Sequence, residues 1–158
     1  MADYILERRV WFPRPRAEVF EFFADPRNLE RIQPAWARPR WLAPPPARLS
    51  AGAVLDFRAA LPGRWRVIVR EFDAPFRFVD AQVVGPFARW EHRHRFTEGE
   101  AGEGGTWVED RVTYRVPLGP LGTLVHAAMV QNLVRIGLLT ERVRPRLAGL
   151  GVELTPAA

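Results

Sequence analysis

The sequence predicts an α+β fold in which a curved antiparallel sheet wraps around a long C-terminal helix. Three observations predict it: a strand and two short helical patterns come first, five strand patterns occupy 54–116, and one long amphipathic pattern follows at 121–148. The connections between the five strands are short and rich in glycine and proline, which is typical of hairpins. A curved sheet and an amphipathic helix can each bury one face against the other.

The N-terminal part contains one strand pattern and two helix patterns. Residues 4–12 are rich in β-branched and aromatic side chains and predict a strand. A proline then opens a helix over 16–24, whose apolar residues have helical spacing. Asp25 is followed by proline and ends this helix. Either Asp25 or Asn28 is expected to cap a second short helix over 29–33.

The middle of the chain is an irregular connection followed by the sheet. The proline-rich connection over 35–52 is expected to hold only a short strand around Arg40 to Leu42. From residue 53 onward the pattern becomes strongly β, and glycine, proline or aspartate separates the successive strands. The five predicted strands are 54–61, 64–72, 76–84, 89–96 and 106–116.

The segment 121–148 predicts the longest helix. Placed at 100° per residue, its apolar side chains form one stripe that includes Met129 and also contains the polar Asn132. A second apolar face on its first half favours either a cover by the N-terminal helices or a homodimer surface. Pro145 is expected to kink or interrupt the helix near its end.

Length and composition fit one soluble domain spanning 1–158. The chain has 158 residues, of which 47% are hydrophobic and 26% are charged. It contains no cysteine, which excludes disulfides, thiolate catalysis and cysteine-ligated metals. Because no run of about 18 apolar residues and no signal-peptide pattern occur, we predict no transmembrane segment and a cytoplasmic location.

Three stretches carry a resemblance that covers nearly the whole chain. They are the strand-to-helix entry at 13–29, the sequence GPFARWEHRHRF at 85–96, and the sequence GTWVEDRVTY at 105–114 with the later PLGPLG at 117–122. In order and spacing they resemble the SRPBCC superfamily, which includes START-like lipid-binding domains and polyketide cyclase/dehydrase-like proteins. The resemblance implies a helix-grip fold with a cavity between the sheet and the C-terminal helix. Its members include carriers, cyclases, hydrolases, receptors and chaperone activators, so the fold alone leaves the activity open.

The most informative strand pattern is WEHRHRF, which begins at residue 90. Side chains alternate across a strand, so Trp90, His92 and His94 share the face expected to point inward, and the charged residues between them share the other. In the next strand Asp110 and Tyr114 share one face. A hairpin would therefore bring Asp110 opposite His92 or His94, depending on the register.

These side chains admit three interpretations. An inward Asp110 could be satisfied in a buried hydrogen-bond network, or the group could orient a ligand. Alternatively, His92 or His94 could act with Asp110 as an acid–base pair that removes a proton next to a carbonyl, as an aldol cyclase or dehydratase requires.

A metal site is a further interpretation of the same residues. His92, His94 and Asp110 would make a two-histidine, one-carboxylate set. The chain has no HExxH-type spacing, and its third histidine, His126, is predicted on a remote side of the long helix. We therefore predict no metal and no cofactor.

We expect the protein to bind a hydrophobic small molecule, such as a lipid, polyketide or aromatic metabolite, in the cavity that the resemblance implies. The alternative is a cyclase/dehydratase-like enzyme that uses the His/Asp pair, so enzymatic activity stays open. The residues expected to form the cavity wall are Trp90, His92, His94, Asp110, Tyr114, Met129 and Asn132.

The basic charge suggests a third alternative, an interaction module for a protein, a membrane surface or a nucleic acid. The formal net charge is +5, and arginine supplies all of the 23 residues counted as lysine or arginine. These arginines are spread along the chain without a recognition motif, so no specific nucleic acid is expected. Such a module would use outward arginines, namely Arg89, Arg93, Arg95, Arg111 and Arg115.

Overall fold

A computed structural model describes residues 3–33, 35, 38–59, 63–99 and 104–117 of the chain. The N-terminal elements confirm the predicted order: β1 (Tyr4–Phe12), α1 (Arg16–Ala24), a turn of 3₁₀ helix (Pro26–Asn28) and α2 (Leu29–Ile32). Six strands follow, namely β2 (Arg40–Trp41), β3 (Val54–Arg58), β4 (Trp65–Asp73), β5 (Arg77–Val84), β6 (Arg89–Glu98) and β7 (Thr106–Arg115). The helix predicted at 121–148 lies outside the described residues.

The seven strands form one antiparallel sheet in the order β1–β7–β6–β5–β4–β3–β2. Strands β3 to β7 each pair with the preceding strand, and β1 pairs with β7 along its whole length, from Tyr4 opposite Tyr114 to Phe12 opposite Thr106. The β4–β5 pairing contains two register shifts. Such bulges bend the bulged strand and increase its twist, as a curved sheet requires.

Helix α1 packs on one face of the sheet, which we call the inner face. The ring of Phe20 is fully buried and lies 5.3 Å from Phe72, 6.0 Å from Phe78 and 5.1 Å from Phe96. Full burial of such a side chain stabilises the fold by about 1.5–3 kcal/mol. This contact therefore holds α1 over one end of strands β4 to β6.

The two predicted helix caps behave differently. The side chain of Asp25 accepts a hydrogen bond from the backbone N–H of Arg27 at 3.0 Å and thereby caps the 3₁₀ turn. Asn28 instead donates through Nδ2 to the carbonyl oxygen of Phe22 at 2.8 Å. As a result, α2 begins only after the 3₁₀ turn and has four residues.

Strand β6 extends two residues beyond its predicted end at Phe96. Thr97 and Glu98 still pair with Trp107 and Thr106 of β7, so the hairpin continues until the chain leaves the sheet.

Within the described part of the chain, helices are too short or too polar to span a membrane.

Candidate functional site

Five ionisable side chains meet at the centre of the inner face, and we call them the inner cluster. Arg8 of β1 lies opposite Asp110 of β7, which lies opposite His94 of β6. One step along the sheet, His92 of β6 lies opposite Asp80 of β5. Four adjacent strands therefore bring together residues that are far apart in the sequence.

The β6–β7 register decides which histidine faces Asp110. His94 is directly opposite Asp110, whereas His92 is opposite Val112. Both imidazoles nevertheless approach the same oxygen, because Nδ1 of His94 lies 2.8 Å and Nε2 of His92 lies 3.3 Å from Oδ1 of Asp110. The hairpin thus brings Asp110 to both histidines, while the roles of these residues stay predictions.

The two oxygens of Asp110 have different surroundings. Arg8 donates to Oδ2 from Nε at 2.9 Å and also from Nη2. Among the described residues, Oδ1 of Asp110, Nε2 of His92 and Nδ1 of His94 are buried but lack an aligned hydrogen bond. Buried polar groups are nearly always hydrogen-bonded, so this convergence of three unsatisfied atoms is unusual.

Burial and charge shift the pKa values of the inner cluster in different directions. Burial alone would raise the pKa of Asp110, but Arg8 and the two histidines hold it well below its usual range. Burial also opposes protonation of His94, yet its contacts with Asp110 and Asp80 outweigh burial and raise its pKa to about 9. Burial and the charge on His94 lower the pKa of His92. At neutral pH the two neighbouring imidazoles therefore carry different charges.

An aromatic wall continues the inner face beside the inner cluster. Trp90 contacts His92 edge-on at 5.7 Å between ring centroids and Trp65 at 5.8 Å. Trp65 in turn contacts Phe57 at 6.3 Å and Phe87 at 5.6 Å. The indole Nε1 of Trp65 is buried, and no described residue accepts its hydrogen. The wall is therefore apolar but contains one unsatisfied donor.

Tyr114 lies further along β7 on the same face, opposite Trp90. It stacks on Tyr4 at 5.5 Å and meets Phe87 edge-on at 5.5 Å. Burial raises the pKa of Tyr114 to about 12, so its phenol is neutral at physiological pH. Met129 and Asn132, the remaining predicted wall residues, lie outside the described residues.

Two members of the inner cluster, Arg8 and Asp80, were not among the site residues predicted from the sequence. Both interrupt an otherwise apolar alternation: Arg8 stands between Leu6 and Val10 on one face of β1, and Asp80 follows Phe78 on one face of β5. A charged residue on the inward face of a strand is the signal that could have found them.

The outward arginines of the third alternative are all engaged by carboxylates. Arg89 and Arg115 both contact Asp3, with closest N–O distances of 3.0 Å and 2.8 Å. The other three pairs are Arg111 with Glu7 at 3.3 Å, Arg93 with Glu91 at 3.9 Å and Arg95 with Glu109 at 3.9 Å. An acidic partner would have to compete with these pairs, which reduces the attraction that the formal charge suggests.

Comparison with protein families gives one match, to a family described as polyketide cyclase/dehydrase and lipid transport. The family model matches residues 12–136, which include the strands from β2 to β7 and four of the five inner-cluster residues. No curated protein matches the chain.

Several solved structures share the fold. The protein TTHA0849 from Thermus thermophilus is 24% identical, with a TM-score of 0.64 over 94% of both chains. A START superfamily protein from Mycobacterium smegmatis is 15% identical, with a TM-score of 0.62 over 92% of this chain and 95% of that one. An HSP90 activator from Plasmodium falciparum is also 15% identical, with a TM-score of 0.54 over 96% of this chain and 99% of that one. At these identities the similarity establishes the fold and leaves the function to the site.

Proposed function

The chain belongs to the polyketide cyclase/dehydrase and lipid transport family, and from this premise we propose that it binds a hydrophobic small molecule against the inner face of its sheet. The observation that carries the proposal is the aromatic wall beside the inner cluster. Small-molecule sites combine apolar and aromatic walls with a few fixed polar groups that orient the ligand. Lipids, polyketides and aromatic metabolites all have such apolar bodies.

One polar group of the aromatic wall indicates what kind of ligand the wall can bind. The buried indole N–H of Trp65 has no acceptor among the described residues. Leaving such a donor unsatisfied costs about 1–3 kcal/mol. A carbonyl or hydroxyl oxygen on the ligand would remove this cost, so we expect an apolar molecule that carries at least one acceptor oxygen.

The ligand-contacting residues follow from the same face. Trp90 separates Trp65 from His92, so a ligand on the wall would reach the inner cluster as well. The proposed contacts among the described residues are Trp90, His92, His94, Asp110 and Tyr114. Met129 and Asn132 stay predictions.

The first experiment is native mass spectrometry of protein purified without detergent, followed by organic extraction and identification of any adduct. We expect a stoichiometric apolar adduct or, after extraction, saturable binding of anilinonaphthalene sulfonate that persists at high salt. Persistence at high salt is required because binding to surface arginines would weaken as salt screens them. Absence of both an adduct and saturable dye binding would contradict the proposal.

A pair of probes tests the acceptor oxygen. 1-Tetralone carries a carbonyl, whereas tetralin has the same fused rings without oxygen. Trp65→Phe should weaken binding of 1-tetralone about fivefold, since it removes one hydrogen bond worth about 1 kcal/mol, and should leave tetralin binding unchanged. Trp107→Phe is the matched control, because Trp107 lies on the other face under the guanidinium of Arg9. Equal loss for both probes would show that Trp65 contributes only its ring.

The enzymatic alternative, in which His92 or His94 acts with Asp110, uses the same surface and stays a prediction. Once a ligand is identified, its conversion by the wild type and not by the folded Asp110→Asn variant would support that alternative. Conversion at the wild-type rate in the variant would exclude it.

A further inference from the structure

We propose that Asp80, His92 and His94 form a binding site for a divalent transition-metal ion such as Zn²⁺ or Co²⁺. Each of the three side chains offers one ligand atom, and these atoms all lie within 4.8 Å of one another. Asp80 is directly opposite His92 in the β5–β6 pair, and His94 follows on the same face of β6. The paired backbones of two central strands therefore hold all three ligands.

The distance between Asp80 and His94 suits an ion better than a direct hydrogen bond. Oδ2 of Asp80 lies 3.6 Å from Nε2 of His94, which is longer than the 2.7–3.2 Å typical of hydrogen bonds. Two ligands of one tetrahedral Zn²⁺, with bonds of about 2.0–2.1 Å, lie about 3.3 Å apart. A shift of a few tenths of an ångström would let both atoms bind the same ion, and rotation of the His92 side chain would add the third ligand.

The surroundings of His94 resemble the support that metal-bound histidines usually have. A ligating imidazole commonly directs its second nitrogen to a carboxylate, which fixes the ring and its tautomer. Nδ1 of His94 lies 2.8 Å from Oδ1 of Asp110, and Arg8 holds the other oxygen of that carboxylate. Among the described residues, this nitrogen and this oxygen are buried without an aligned hydrogen bond. An ion on Nε2 would displace the proton that this nitrogen carries in the imidazolium form, and the remaining Nδ1–H would donate to Asp110.

The ligand atoms indicate the class of ion, and the exposure of the side chains shows that an ion can reach them. Two imidazoles and one carboxylate suit Zn²⁺, Co²⁺ or Fe²⁺, whereas Mg²⁺ and Ca²⁺ prefer oxygen ligands. The side chains of Asp80, His92 and His94 are 14%, 12% and 11% exposed, so they are not sealed from solvent. Three protein ligands leave a fourth position for water or for an oxygen of a bound molecule.

No metal is predicted from the sequence, because the chain has no HExxH-type spacing and His126 is predicted on a remote side of the long helix. The only donor set considered there joins the two histidines with Asp110. In the structure Arg8 occupies one oxygen of Asp110, and Asp80 supplies the carboxylate that faces Nε2 of His94. The donor set is therefore different from the one that the sequence suggested.

The test uses tag-free protein stripped with a chelator and then titrated with Co²⁺, whose visible absorption reports nitrogen and oxygen ligands. Zn²⁺ binding is measured in parallel by calorimetry. We expect one ion per chain and a rise in the thermal unfolding temperature with added Zn²⁺. Asp80→Asn and His92→Gln should each weaken binding at least about tenfold. Glu91→Gln is the matched control, because Glu91 lies next to His92 but on the opposite face.

A further variant tests whether Asp110 orients the ligating His94 without itself binding the ion. Asp110→Asn should weaken metal binding about 10–100-fold, as expected for a carboxylate that orients a ligating histidine. Circular dichroism confirms that each variant is folded before it is compared. Absence of saturable Co²⁺ and Zn²⁺ binding in the wild type, or equal affinity in folded Asp80→Asn, would overturn the proposal. Neither result would affect the proposed small-molecule binding, whose probes contain no metal.

Discussion

Two buried aspartates, Asp56 of β3 and Asp110 of β7, are both held by arginine but differ in how completely they are satisfied. Arg64 donates to both oxygens of Asp56, and Arg66 adds a hydrogen bond of 2.8 Å to Oδ2. Arg8 donates to Oδ2 of Asp110, and in the described part of the chain Oδ1 lacks an aligned partner. A fully hydrogen-bonded carboxylate stabilises the fold, whereas one with an unsatisfied oxygen can still accept a hydrogen bond from a neighbouring side chain or a ligand.

The two sites also differ in the exposure of their arginines. The side chains of Arg64 and Arg66 are 47% and 41% exposed, whereas that of Arg8 is 25% exposed. Loss of Asp56 would leave guanidiniums that water can hydrate. Loss of Asp110 would leave the less accessible Arg8 guanidinium beside the imidazoles of His92 and His94, whose side chains are only 12% and 11% exposed. The same residue type therefore has different consequences at the two positions.

The largest expected effect is that of Asp110→Ala on stability. Asp110→Ala removes the buried carboxylate that Arg8 and both histidines face, and breaking a buried ion pair costs about 3–5 kcal/mol, so we expect the free energy of unfolding to fall by about that amount. Urea unfolding followed by far-ultraviolet circular dichroism measures the change. The double variant Arg8→Met/Asp110→Ala should recover part of the loss, because the cation is also removed. A loss below about 1 kcal/mol would contradict the assignment of a buried pair.

Asp56→Ala should destabilise the protein less than Asp110→Ala. Its partners Arg64 and Arg66 are close to half exposed, and hydration compensates for the lost hydrogen bonds. The same urea titration, run on both variants in parallel, measures the ranking. An equal or larger loss of stability for Asp56→Ala would show that exposure of the arginine partners does not reduce the cost of removing the aspartate.

The pH dependence of the free energy of unfolding tests the ion pairs of Asp56 separately. Hydrogen bonds from Arg64 and Arg66 hold its pKa well below the ordinary 3.8. The unfolded state therefore binds this proton first, so Asp56 stabilises the fold above pH 3.8 and the stabilisation decreases as the pH falls further. Asp56→Asn should flatten the fall in unfolding free energy between about pH 5 and pH 2. Parallel slopes for wild type and variant would refute this linkage.

The smallest expected effect is that of Glu109→Gln. Glu109 precedes Asp110 in β7, and its side chain lies on the face of the sheet opposite the inner face. Glu109 is 37% exposed and contacts Arg9 at 3.4 Å and Arg95 at 3.9 Å. Exposed pairs contribute less than about 1 kcal/mol, so the unfolding free energy should change by no more than that. A change as large as that of Asp110→Ala would show that the loss of unfolding free energy depends on the position along β7 and not on which face of the sheet the side chain occupies.

Much of the fold could be predicted because it depends on local pattern. The alternation in WEHRHRF placed His92 and His94 on one face, and the hairpin signals on both sides predicted antiparallel pairing with the strand of Asp110. The second helix was predicted at 29–33 and lies at Leu29–Ile32, but the 3₁₀ turn that Asp25 caps before it was not predicted. Several geometries satisfy the same capping residue, and local sequence does not choose among them.

The sequence by itself determined the order of the elements, the face of each strand and the family to which the chain is similar, because backbone geometry sets the periods of strands and helices. Only the tertiary structure decided that His94 is opposite Asp110, that Arg8 holds that carboxylate from 102 positions away, and that Asp80 faces His94. These contacts depend on strand order and register, which arise from packing of the whole sheet. A strand pattern shows which side chains point inward, but not which inward side chains meet.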